Sequence, residues 1–235
     1  TFTPTAQASA ENPPTKEALV QKRMSYYMKH ENVLMPWYYL AAVDQFERNI
    51  QEVRTDIPIR ESVIAIQFSD EFWSGALNPA ENDTSPLSIA YFKGLGIDGD
   101  GDGIADKQND EDVLLSMANY LRQYGYGEDN FKLALWDYYK NEISVNQIVA
   151  IAKLYEKFRT IELDQHTFPI VIGADYSYSG TWGANRGWGG RRNHEGTDIY
   201  APYNTPVLST SYGVVEVMGW NQFGGWRIGI RDNHN

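Results

Sequence analysis

In the stretch NHEGTDIYAPYNTPV, His194 and Asp198 stand four positions apart with Gly196 between them. A neutral imidazole and a carboxylate form a zinc-type donor pair that leaves the ion Lewis-acidic, with a position open for water. Gly196 permits a tight turn between the two, and Thr197, Ile199 and Tyr200 argue for a strand around Asp198. Two donors do not complete such a site. A His-x-x-x-Asp pair on its own reads equally well as two surface polar residues; the flanking turn and strand pattern is what makes this one specific. The later histidine, His234, falls in a turn after RIGIRD and is expected to face solvent.

Two further groups carry chemistry. In IDGDGDGIADKQNDED the alternating Asp98, Asp100 and Asp102 can converge on one hard cation, Gly103 permits the sharp turn, and the carbonyl of Ile104 adds an oxygen. An EF-hand loop wants an acidic group near its twelfth position, where this chain has Asn109; Asp112, at the start of the next helix, closes a longer loop. Calcium in a structural role is the expected occupant, because three adjacent carboxylates repel unless neutralised; the alternative is a solvated acidic turn. The other group is Glu47, which extends an apolar stripe through Leu40, Val43 and Asp44. Desolvation there favours the protonated form that a general acid needs. The competing reading is a surface residue at a helix end beside Arg48. Were a second carboxylate required, Asp44 and Asp70 are the candidates.

These residues need elements to hold them. Helical spacing begins at Thr15 with Val20, Met24, Tyr27 and Met28, and Pro36 suits the first turn of a second helix. A third helix over 112–124 carries Leu114, Met117, Ala118 and Leu121, with Gly125 as its C-terminal cap. A fourth includes Phe131, Ala134, Leu135 and Tyr138. A fifth starts at Ser144, which caps it while Gln147 reaches back, and buries Val145, Ile148, Val149, Ala152 and Tyr155. After Arg159 the texture changes to short β-branched runs, FPIVIG, TDIYAP, TPVLSTS, GVVEVMGW and WRIGIRD, separated by Gly, Asn and Pro. The expected class is α+β: a leader over 1–15, a helical domain over 16–160, a linker over 161–167 and an all-β domain over 168–235. The β pattern stops straight after a strand, which leaves an unpaired edge, so the natural protein is expected to continue past Asn235.

The 235 residues carry a net charge of −11 and no cysteine. The charge argues against a basic nucleic-acid-binding surface, and the missing cysteines exclude disulfides, thiolate zinc sites and cysteine nucleophiles. No apolar run is long enough for a membrane span. Ala8, Ser9 and Ala10 have the spacing read by signal peptidase, so an exported protein is expected, with a short linker as the alternative.

Several ordered motifs resemble lytic transglycosylases of the membrane-bound B type, which implies a lysozyme-like helical domain. MPWYYLAAVDQFERNI is similar to the helix that carries their catalytic glutamate. IQFSDEFWSGAL is similar to a Gln-Phe-x-x-x-x-Trp segment that lines their sugar cleft, and the acidic loop with the helix after it is similar to their calcium loop. The resemblance implies Glu47 as acid/base, Gln67 and Tyr138 as substrate-binding residues, and Asp112 as the late calcium ligand; attack by the muramic 6-hydroxyl would make a second carboxylate unnecessary. The chain departs from that family at RNIQEV after the glutamate, at VIAI before Gln67, and at Tyr139, so cutting and merely binding glycan both stay open.

RRNHEGTDIYAPYNTPVLSTSYGVVEVMGW resembles the M23 (lysostaphin-type) zinc endopeptidases, which implies that His194 and Asp198 are the first two zinc ligands. Members take their third ligand and two catalytic histidines from a later Tyr-x-His-Leu strand and a His-x-His pair, which this sequence lacks; the site is completed beyond Asn235 or not at all. The pairing of domains resembles sporulation endopeptidases of Gram-positive spore formers that cut the L-Ala–D-Glu bond. It implies a wall or spore-envelope protein acting on peptidoglycan by zinc-assisted hydrolysis of a stem-peptide amide. The rivals are a lytic transglycosylase or muramidase with an accessory β domain, and a non-catalytic wall-binding scaffold. The sequence assigns no oligomeric state.

Overall fold

The computed structural model describes residues 14–187, 192–222 and 224–234, so the Ala8-Ser9-Ala10 run lies outside the described residues. The chain divides into two compact units, the first ending at Ala134 and the second beginning at Leu135.

In the first unit, α1 (Lys16–Lys29) starts where the Thr15 hydroxyl accepts from Ala18 N–H. Next, α2 (Trp37–Val53) follows Pro36, which stands one position before the first helical residue. Two short helices, α3 (Asp70–Ser74) and α4 (Pro86–Tyr91), are capped by the hydroxyls of Ser69 and Ser85. Helices this short show no periodicity, so caps are their sequence signal. The last whole helix of the unit, α5 (Asp110–Arg122), starts two residues before the expected stripe, because Asn109 Oδ1 accepts from Glu111 N–H. Gly125, at φ +91°, turns the chain after it. Leu40, Ile64, Ile66, Ile89 and Leu114 are fully buried here. Each contributes about 1.5–3 kcal/mol through burial. Tyr39 of α2 stacks on Phe131 of α6 (Glu128–Tyr139), and α6 crosses from the first unit into the second.

The second unit holds α7 (Glu142–Phe158), with Val145, Ile148, Val149, Ala152 and Tyr155 buried as its pattern requires. Its cap is Asn141, whose Oδ1 accepts from Ile143 and Ser144 N–H; Ser144 is therefore inside the helix rather than its cap. The stretch expected to be a linker buries Ile161 and Leu163. Three antiparallel pairs follow. β1 (Ser177–Ser179) pairs with β4 (Asp198–Tyr200), β2 (Asn185–Arg186) with β3 (Arg192–Asn193), and β5 (Val214–Asn221) with β6 (Gly225–Arg231). The runs FPIVIG and TPVLSTS were expected as strands, but they meet in an isolated bridge between Ile170 and Val207, with Leu208 N–H donating to the Pro169 carbonyl. Pro169 and Pro206 have no N–H, so a ladder cannot extend through them. The architecture is thus helical first and β-sheet second. No described helix is long and apolar enough to cross a membrane.

Candidate functional site

β4 carries Asp198 and pairs with β1 in a register that sets Asp198 opposite Ser179. Two residues past Ser179, Thr181 opens a turn. His194 N–H donates to the Ala184 carbonyl, and Gly183 N–H donates back to the His194 carbonyl at 2.7 Å. Backbone pairing on both sides therefore brings the two side chains to one place. His194 Nε2 lies 3.4 Å from Asp198 Oδ1, with His194 13% and Asp198 36% exposed.

The partners of the ring assign its tautomer. His194 Nδ1 lies 3.1 Å from the Thr181 carbonyl, which only accepts, so Nδ1 carries the proton. Nε2 is then the lone-pair atom, and Arg186 Nη2 donates to it at 2.8 Å. The contact with Asp198 is therefore not an ion pair of an imidazolium. Its charge partner is Arg186, whose Nη2 also reaches Asp198 Oδ1 at 3.1 Å and Oδ2 at 3.2 Å. Thr181 Oγ1 donates to Asp198 Oδ2 at 3.2 Å, so one threonine steadies both residues. Two ligands about 2.0–2.1 Å from a tetrahedral zinc are about 3.3–3.4 Å apart, which is the separation found. The donor set and its spacing thus fit zinc. Among the described residues no third His, Cys, Asp or Glu joins these two. His234 is half-buried, and its Nε2 lies 3.1 Å from Asp164 Oδ1. Thr181 and Arg186 were not singled out in the sequence. They lie in the irregular stretch TWGANR, and strand pairing is what carries them to the site.

The acidic loop forms a second group. Ligand atoms of Asp98, Asp100 and Asp112 lie within 4.8 Å of one another, so this cluster can hold a metal ion. Gly99 enforces the convergence: a Cβ there would stand 2.4 Å from the Glu111 carbonyl oxygen, so the loop presses onto the first turn of α5. Asp112 is 1% exposed and accepts from Gly99 and Asp106 N–H, both at 2.7 Å. Burial pushes its carboxyl above the usual range, against the lowering effect of those two donors. Asp98 accepts from Gly101 and Gly103 N–H, and Asp100 from Asp102 N–H and the Asn109 amide. Asp102 lies outside the cluster: its Oδ1 turns back to Ile104 N–H, and Ile104 is exposed.

On α2 the stripe through Leu40 and Val43 resolves differently from its expected form. Asp44, not Glu47, is the residue fully in the core; Glu47 is half-buried. Asp44 accepts from Tyr27 Oη at 2.6 Å, from Ala65 N–H, and from Arg48 Nη2 at 3.2 Å. Burial opposes the Arg48 charge, but Asp44 outweighs it and holds the guanidinium above its ordinary value. Asp44 is thus a buried structural node, and Asp70 is paired with Lys107. Asp44, fully buried, offers no exposed face for the part of a second carboxylate. Gln67 donates to the Pro58 carbonyl at 2.9 Å and lines a cavity of about 270 Å³ with Pro58, Ile59, Phe68 and Lys107, which Glu47 does not line. Tyr138 lies in the second unit, half-buried, edge-on to Tyr139 at 4.9 Å.

Comparison with known proteins adds two findings. The transglycosylase SLT domain family matches residues 90–135, which include the acidic loop and α5 but neither Glu47 nor Gln67. The L-Ala–D-Glu endopeptidase of Bacillus subtilis (strain 168) is 50% identical over 230 residues, covering 97% of this chain and 71% of that protein. No solved structure matches the chain.

Proposed function

The chain belongs to the family of the L-Ala–D-Glu endopeptidase, and from that premise we propose that it is a peptidoglycan hydrolase that cuts the stem peptide at the L-Ala–D-Glu amide. The carrying observation is the 50% identity over 97% of the chain, which leaves neither the helical nor the β region outside the match. In this reading residues 168–235 belong to an M23-type peptidase domain and residues 16–160 to a lysozyme-like domain of the membrane-bound B transglycosylase type, joined by 161–167. The protein is exported and works at the wall or spore envelope.

His194 and Asp198 would hold zinc through Nε2 and a carboxylate oxygen. Zinc bound there supplies Lewis acidity toward the scissile carbonyl and toward water. The Thr181 carbonyl fixes the His194 tautomer, and its hydroxyl orients Asp198. In the helical domain, calcium suits the acidic loop, because carboxylate and carbonyl oxygens are hard ligands. Asp98, Asp100 and Asp112 would supply the clustered carboxylates, and Asp102 and the Ile104 carbonyl are the further oxygens this loop would offer. Glu47 acts as acid/base on glycan, and Gln67 and Tyr138 are separate candidates for contact with sugar. The SLT match over 90–135 favours a glycan role for this region.

The test is peptide release from purified peptidoglycan by the wild type and by His194→Ala, with zinc content measured in both. Release should fall at least about a hundredfold in the variant, with zinc lost and glycan binding kept. Equal release from both proteins would refute the reading.

A further inference from the structure

Arg186 Nη2 stands on the atoms assigned to the metal: 2.8 Å from His194 Nε2, 3.1 Å from Asp198 Oδ1 and 3.2 Å from Asp198 Oδ2. Resting on the zinc reading above, we infer that Arg186 competes with the metal for His194 and Asp198, so that metal uptake proceeds by displacing its guanidinium.

Space comes first. A zinc ion about 2.0–2.2 Å from these donors needs the volume and the lone pairs that the guanidinium nitrogen uses. The two cations cannot share Nε2, which has a single lone pair. Charge comes second. Arg186 brings a positive charge to Asp198, its Nη2 lying 3.1 Å from Oδ1. A cation that binds the pair too weakly to outcompete the arginine is kept out. The third consideration is freedom to leave. The Arg186 side chain is 38% exposed, so it can swing into water without uncovering a buried charge. The ligands stay placed when it goes, because Thr181 holds His194 Nδ1 through its carbonyl and Asp198 Oδ2 through its hydroxyl. The first contact lies on the far side of the ring from Nε2, and the second holds an oxygen that Arg186 also reaches.

The experiment measures zinc affinity of the full chain by competition with a chromogenic chelator at fixed pH. It compares the wild type, Arg186→Gln, Arg186→Lys and His194→Ala, and takes the melting temperature of each without zinc. Arg186→Gln should bind zinc about tenfold more tightly, since a charged partner of the ligands is removed. Arg186→Lys keeps the charge but loses the planar guanidinium, and should fall between the two; it serves as the deciding variant if Arg186→Gln melts early. Zinc affinity equal to or weaker than wild type in the folded Arg186 variants, with affinity lost in His194→Ala, overturns the role of Arg186 alone. Affinity unchanged in His194→Ala, or no zinc uptake by any of the proteins, overturns both this inference and the zinc reading beneath it.

Discussion

Asp44 and Glu47 show how two carboxylates three positions apart on one helix take different work. Asp44 sits where the side chain points into the core, and both of its oxygens accept, from Tyr27, Ala65 and Arg48. Those partners join α1, α2 and the chain segment after α2, so the residue is a fastening for the first unit. Truncation to alanine would leave the Tyr27 hydroxyl, the Ala65 amide and the Arg48 charge short of a buried partner. We expect Asp44→Ala to cost about 3–5 kcal/mol of stability, measured by urea unfolding, with the slope of the transition unchanged. A loss below about 1 kcal/mol would place the node among ordinary surface pairs. One turn on, Glu47 keeps part of its surface exposed, which a group acting on a substrate requires.

At the scale of elements, the acidic loop and α5 act as one device. The loop bends onto the helix because Gly99 leaves no room for a side chain against the Glu111 carbonyl, and the helix answers with the buried Asp112 carboxylate. Arg60 ties the same helix start to the segment before α3, reaching Asp110 Oδ1 at 2.8 Å and the Gln108 carbonyl at 2.7 Å. A cation between Asp98, Asp100 and Asp112 would relieve the cost of burying the Asp112 charge, so calcium should raise the melting temperature and a chelator should reverse the gain. Gly99→Ala should abolish that response by forcing the loop off α5. A variant that keeps the full calcium-induced shift would show that the close approach is not what assembles the cluster. The zinc-type pair depends on elements in another way: β1 paired with β4 places Asp198, β2 paired with β3 places Arg186, and the turn at Thr181 links the two pairs.

At the scale of the whole molecule, two candidate chemistries lie on separate stretches of chain, and they should be separable. With purified peptidoglycan as substrate, Glu47→Gln should lower the yield of anhydro-sugar ends by about 10²–10⁴-fold, the range of a general acid, while peptide release stays at the wild-type level. His194→Ala should leave the anhydro-sugar yield unchanged. Wild-type protein that produces no anhydro-sugar ends would reduce the helical domain to glycan binding. Much of this plan is carried by local sequence. Helix stripes such as Leu114, Met117 and Leu121, the spacing of Asp98, Asp100 and Asp112, and the His194–Asp198 pair follow from short-range rules of period, turn and ligand geometry. Tertiary structure decided what those rules leave open. Asp44 rather than Glu47 entered the core, because burial depends on which neighbours close over a helix face. Asp102 stayed outside the cluster because α5 brings Asp112 to Asp98 and Asp100 instead. Pro169 and Pro206 ended ladders that their β-branched neighbours favour. Arg186 and Thr181 reached the metal pair across strand pairings of 8 to 17 residues in sequence separation, a distance over which no local pattern reports contact.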